Sequence, residues 1–174
     1  MDILISSNLE RLLYLLSGCN GEEIKGLMEA LATEKKYTVS DTIKEKLGKF
    51  YGGFATVDQV SDAIGRLYRE EGYLMDTHTA VGYEVYEAYR KSTGDETPAL
   101  LASTASAYKF AESVAKALGL PEEKDGFAYI RAVHEATGVE VPYGLKDLET
   151  RPVIHDRVVE IGEMEQAVLD ALEK

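Results

Sequence analysis

Three hydroxyl side chains, Ser103, Thr104 and Ser106, follow directly on the apolar run Ala99–Ala102 and precede a helical pattern carried by Phe110, Val114 and Leu118. A hydroxyl both donates and accepts a hydrogen bond without bringing a charge. Collected where an extended apolar segment turns into a helix, beside free helix amides, such groups suit a polar atom of a small molecule. The same residue types cap helices and fill tight corners, so the local pattern leaves binding and capping both open. A second polar group, Asp76, His78 and Thr79, opens another helical stretch. An imidazole beside a carboxylate can carry a proton or contact a substrate near neutral pH. Asp76 and Thr79 can equally cap the helix while His78 orders the turn. A third group, Ser6, Ser7, Asn8 and Arg11, sets an arginine one turn inside a helix start, a position that suits an anion such as phosphate. The alternative there is a surface arginine paired with Glu10, the commoner situation.

The elements that must position these groups are mostly helical. Leu9, Leu12, Leu13 and Leu16 recur at helical spacing behind the oxygens of Ser6, Ser7 and Asn8, and Ile24, Leu27, Met28 and Leu31 repeat the pattern. Tyr37–Ser40 reads as a brief extended link. Ser40 or Asp41 can start a third helix running through Ile43 and Leu47 toward Phe50, with Gly52 and Gly53 marking a turn. Thr56 and Gln59 form a capping box ahead of the apolar stripe Val57, Val60, Ile64 and Leu67, which Gly72 closes. Val81, Val85 and Tyr89 predict a fifth helix entered from Asp76, Thr77 and Thr79, in which Tyr83, Tyr86 and Tyr89 read as packing residues. Phe127, Ile130, Val133 and His134 predict a helix stopped by Gly138, and Met164, Val168, Leu169 and Leu172 a closing one. Short strands are expected at Ala99–Ala102 and Val153–Val159. About seven helices against two or three strands is a predominantly helical α/β class in which the strands are too few for a sheet of their own. Met1–Ile5, running straight into a capped helix, reads as an internal segment of something larger. An unpaired edge around Ala99–Ala102 would then favour self-association.

Composition narrows the function classes. The 174 residues are 45% hydrophobic, enough for a core, and 31 acidic against 19 basic residues give a formal charge of -12. That charge, without a basic patch, argues against a nucleic-acid partner. The single cysteine, Cys19, excludes an internal disulfide, and Cys19, His78, His134 and His155 have no zinc spacing, so no metal is expected. No run of about 18 to 20 apolar residues could span a bilayer, so no membrane partner is expected and a cytoplasmic location fits.

Four blocks in order, MDILISSNLERLLYLLSG, FYGGFAT, YLMDTHTAVGYEVYEAY and LLASTASAYKF, carry a resemblance that covers nearly the whole chain. Together they resemble the C-terminal portion of threonine synthase, which converts O-phosphohomoserine to threonine and phosphate with pyridoxal 5'-phosphate. The resemblance implies a type II pyridoxal-phosphate enzyme fold, a carbon-oxygen lyase acting on phosphate, of which residues 1–174 are the C-terminal part of the large domain. The family's cofactor-anchoring lysine, in a Ser-Phe-Lys-Asp type motif, and its glycine- and asparagine-rich phosphate loop lie N-terminal to the matched blocks; neither motif occurs here. The isolated chain is therefore expected to bind no cofactor and to be inactive, and Lys109 is not a substitute lysine.

What the resemblance implies for the site is a hydroxyl facing the cofactor's ring nitrogen, with Thr104 the first candidate and Ser103 the second. Such a neutral partner leaves the protonation of the ring open, where a carboxylate would hold it protonated. Asp76, His78 and Thr79 match the family's Asp-Pro-His-Thr-Ala-Val block and are expected, with Asn8 and Arg11, to bind substrate; His78 is also a possible proton carrier. Thr77 stands where that block has proline, and Ala107 where the family commonly has Ser-Pro-Tyr-Lys-Phe, so both positions regain a backbone N–H. The alternative function is a non-catalytic helical interaction or regulatory module, or one half of a split enzyme.

Overall fold

Helices form where an oxygen-bearing cap precedes apolar residues at helical spacing, and this computed structural model, which describes residues 5–154 and 156–172, holds eight α-helices among them. Two units divide the chain: Met1–Ala55 with Glu84–Pro98, and Thr56–Tyr83 with Ala99–Lys174.

The first unit begins with α1 (Ser7–Leu16), capped by Ser6, whose hydroxyl accepts from the Leu9 amide at 3.3 Å. Asn20 caps α2 (Gly21–Glu34) through Glu23, and Ser40 caps α3 (Asp41–Leu47) through Ile43. Leu13, Ile24 and Ile43, one from each helix, are buried together, with Leu16, Leu27, Met28, Tyr37, Val39 and Leu47 packed round them. Full burial of a Leu or Ile side chain is worth ~1.5–3 kcal/mol, so three such residues are the main hold on this bundle. Helix α3 stops at Leu47, short of the predicted Phe50. Gly52 and Gly53 lack the left-handed φ of a glycine turn; a Cβ on Gly53 would instead lie 2.9 Å from the Val85 side chain, so close approach explains that glycine.

In the second unit the Thr56–Gln59 capping box starts α4 (Val57–Glu71) as its sequence predicts, and Gly72 ends it at φ +69°. After Met75 and Asp76 comes α5 (Thr77–Thr93), whose first half, to Tyr83, belongs to this unit. A short 3-10 helix (Ala107–Phe110) leads into α6 (Ala111–Ala117), which packs between α4 and α7 (Gly126–Thr137). Ala63, Ile64, Met75, Ala80, Tyr108, Val114 and Val133 are among the buried residues of this core. Helix α8 (Met164–Leu172) closes the chain.

The helical expectation holds, but neither expected strand forms among the described residues. Ala99–Ala102 is unpaired coil with Leu100 99% exposed. Within Val153–Val159 the described residues are also coil, with Val153 and Val158 exposed, and His155 lies outside the described residues. An apolar run signals a segment able to extend, but a strand also requires a neighbour to take its N–H and C=O groups, and the described residues supply none.

Candidate functional site

Met75 and Asp76 are driven inward with the core, at 1% and 0% exposure, although Asp76 carries a carboxylate at the head of α5. A buried charge must be matched by hydrogen bonds, and four groups meet it. Oδ1 accepts from the His78 amide at 2.9 Å, the Thr79 amide at 3.4 Å and the His78 Nδ1 at 3.2 Å; the Thr79 hydroxyl donates to Oδ2. Burial by itself would raise the Asp76 pKa, but the bonds from Thr79 and His78 outweigh it and hold the carboxyl below the usual carboxylate value. The partly positive start of α5 favours the same ionised form. Sequence reasoning that Asp76 can cap this helix is met, and the cap is also the centre of a polar cluster.

Thr79, buried at 5%, extends that cluster outward: its Oγ1 lies 3.1 Å from the hydroxyl of exposed Ser103. Ser103 is thereby joined to Asp76, whereas Thr104 is exposed and makes no hydrogen bond among the described residues. Ser106 does what a cap does, accepting from the Tyr108 amide at 3.2 Å at the start of the 3-10 helix. Tyr108 anchors the far side of this loop, its buried ring sending its hydroxyl to the Val139 carbonyl.

His78 is held on two sides. Its side chain is 40% exposed, its Nδ1 faces Asp76, and its ring lies tilted against Phe110 at 5.0 Å between centroids. Donation from Nδ1–H to the carboxylate makes Nε2 the acceptor of the neutral ring. The contact with Phe110 has no local signal in the sequence, since the two residues stand 32 positions apart and only tertiary packing brings them together. Lys109 is exposed, with its ammonium 5.5 Å from the Phe110 ring centroid.

Asn8 and Arg11 lie in the other unit. Asn8 Oδ1 accepts from Arg11 Nη2, so the guanidinium is held by its own helix and not by Glu10. An open cavity of about 740 Å³ runs along α1 and α2, with Ser7, Glu10, Arg11, Tyr14 and Lys25 among its walls. The tyrosines of α5 take packing and ring-contact roles: Tyr83 lies under Arg66, Tyr86 under Arg90, and Tyr89 edge-on to Tyr51 at 5.0 Å. Among the described residues no group of three or more His, Cys, Asp or Glu could hold a metal ion, and no helix is long and apolar enough to cross a membrane.

The family described as "Threonine synthase, C-terminal" matches residues 79–171. The threonine synthase of Pseudomonas aeruginosa is 37% identical over 118 residues, covering 67% of this chain and 25% of that protein. Human threonine synthase-like 1 is 29% identical over 161 residues, covering 92% of this chain and 20% of its own. Among solved structures, the PLP-bound threonine synthase from Brucella melitensis superposes with a TM-score of 0.64 at 28% identity, over 97% of this chain and 32% of that one. Threonine synthase from yeast gives 0.70 at 26% identity, over 99% and 35%. The chain thus spans about a quarter of the length of the curated relatives it matches and about a third of the solved ones.

Proposed function

The chain belongs to the threonine synthase family as its C-terminal domain, and from that membership we propose that it forms the ring-nitrogen side of a pyridoxal-phosphate site in an enzyme converting O-phosphohomoserine to threonine and phosphate. The observation that carries this reading is the line Ser103, Thr79, Asp76: an exposed hydroxyl, a buried hydroxyl and a buried carboxylate within hydrogen-bond reach of one another. A hydroxyl of fixed direction fits a heteroaromatic nitrogen, which needs one hydrogen-bond partner. Bound there, the cofactor would serve as the electron sink of the reaction.

This chain's own residues have separable roles. Ser103, rather than Thr104, is assigned to the ring nitrogen because it alone of the pair is tied to Asp76. Asp76 and Thr79 fix the direction of that hydroxyl. His78, oriented by Asp76 and Phe110, offers Nε2 to a substrate proton. Arg11, held by Asn8, keeps further guanidinium donors for an anion within its own unit. The lysine that anchors the cofactor belongs to the portion N-terminal to these residues, so catalysis requires both portions.

The test joins this segment to the lysine-bearing portion of a threonine synthase and follows phosphate release from O-phosphohomoserine. We expect Ser103→Ala to lower turnover by roughly tenfold, the equivalent of losing one buried hydrogen-bond partner at ~1–3 kcal/mol. Unchanged kcat and KM in that variant would remove Ser103 from the site.

A further inference from the structure

Resting on that assignment of Ser103, we propose that Asp76 is a positioning residue which, through Thr79, turns the Ser103 hydroxyl into an acceptor, so that the site takes a heteroaromatic ring whose nitrogen carries a proton. The inference comes from counting protons. Thr79 has one hydroxyl proton and two oxygen neighbours, Asp76 Oδ2 and Ser103 Oγ. Asp76 is surrounded by donors only: two amides, an imidazole nitrogen and a hydroxyl. Such a setting holds the ionised form, which can accept and cannot donate. The Thr79 proton therefore lies on the bond to Asp76. A proton is still required between the two hydroxyl oxygens at 3.1 Å, and the one that remains is that of Ser103.

The order of donation then runs from Ser103 to Thr79 to Asp76. Ser103 has spent its proton inward and meets a ligand with lone pairs alone. An N–H on a ring is matched by lone pairs; a bare ring nitrogen, itself an acceptor, is not. An isolated serine would leave both forms equal, because its hydroxyl rotates to suit either. The two hydroxyls thus carry the influence of the buried carboxylate to a group it does not touch, and the protonated ring is the stronger electron sink.

The experiment uses the holoenzyme, with this segment joined to its lysine-bearing portion and loaded with pyridoxal phosphate labelled with nitrogen-15 in the ring. The readout is the ring-nitrogen resonance without substrate. The wild type is expected at the upfield, protonated position, and Thr79→Val is expected to move it downfield. Thr79→Ser, which restores a hydroxyl, is expected to return it. Asp76→Asn makes the same cut at the other end should Thr79→Val fail to fold. A downfield, unprotonated resonance in the wild type overturns the proposal. So does a Thr79→Val enzyme with the wild-type resonance when Ser103→Ala shifts it, a result that leaves Ser103 at the ring and removes only the relay. A resonance unmoved by Ser103→Ala instead removes Ser103 from the site, and the proposal falls with that assignment.

Discussion

The hydroxyl of Thr79 meets that of Ser103 at 3.1 Å across 24 positions of sequence, which ties an exposed loop to the buried head of α5. The tie matters because what stands behind Thr79 is a fully buried carboxylate with all its bonds made. Disturbing Asp76 should be felt in stability, and disturbing Ser103 chiefly in function.

Asp76→Ala strips the cap from α5 and leaves a buried hydroxyl and amides without an acceptor. The cost should be ~1–3 kcal/mol, read from the urea midpoint at neutral pH. Asp76→Asn should cost less, since asparagine caps helices about as well as aspartate. A midpoint for Asp76→Ala within experimental error of the wild type would show that the polar cluster contributes nothing to the fold.

The same carboxylate gives the stability a definite pH dependence. Folded, Asp76 titrates below 3.8, the ordinary value of an aspartate; unfolded, it returns to that value. Its contribution is therefore complete above pH 3.8 and is lost as pH falls below this, through the folded value. Urea unfolding at a series of acid pH values should show a shallower loss for Asp76→Asn than for the wild type. Parallel acid limbs would contradict the lowered value.

Asp95 offers a spectroscopic check in the first unit. The Thr97 hydroxyl and amide, then the Tyr89 hydroxyl, pull its carboxyl down to about 2. The Thr97 amide lies 2.9 Å from Oδ1 and the Tyr89 hydroxyl 2.7 Å from Oδ2. Carboxyl carbon-13 titration should place Asp95 at about 2, with Thr97→Ala moving it up toward 3.8 and Tyr89→Phe moving it less. An Asp95 titration unaltered by Thr97→Ala would remove that turn as its cause.

Exposed apolar side chains include those where strands were expected: Leu100 at 99%, Val153 at 84% and Val158 at 93%. Surfaces of this kind bind other surfaces. The isolated chain should bind a hydrophobic dye and grow in apparent mass with concentration in light scattering, and Leu100→Ser should reduce both. A monomer that binds no dye would argue against self-association.

Local rules made the helices legible. Thr56 with Gln59, Ser40 ahead of Ile43, and Gly72 after the apolar stripe of α4 each act within four residues, the range over which capping and periodicity operate. Asp76, His78 and Thr79 were legible as a polar helix start for the same reason. What could not be read locally was tertiary: the choice of Ser103 over Thr104 as the partner of Thr79, and Phe110 against His78. The strands failed for a related cause. Ala99–Ala102 has strand-like composition, but pairing depends on a second segment that composition does not reveal. Asp95 was legible in principle, since an aspartate two residues before a threonine is an Asx-turn pattern.

Two glycines in helix interiors should respond oppositely to the same added methyl group. A Cβ on Gly26 in α2 meets no neighbouring atom within 4 Å, so Gly26→Ala should gain the ordinary helix advantage of ~0.5–1 kcal/mol. A Cβ on Gly65 in α4 would lie 2.5 Å from the Ala117 carbonyl oxygen of α6 and 3.0 Å from Arg69 Nη1. The arginine tip can move away; the carbonyl belongs to a helix end and can move only if the α4–α6 packing opens. Overpacking of this kind costs ~1–3 kcal/mol, more than the propensity gain returns, so Gly65→Ala should lower stability in urea while Gly26→Ala raises it. A rise in both would mean that α4 and α6 do not approach this closely, and the core that holds Met75 and Asp76 in place would need another explanation.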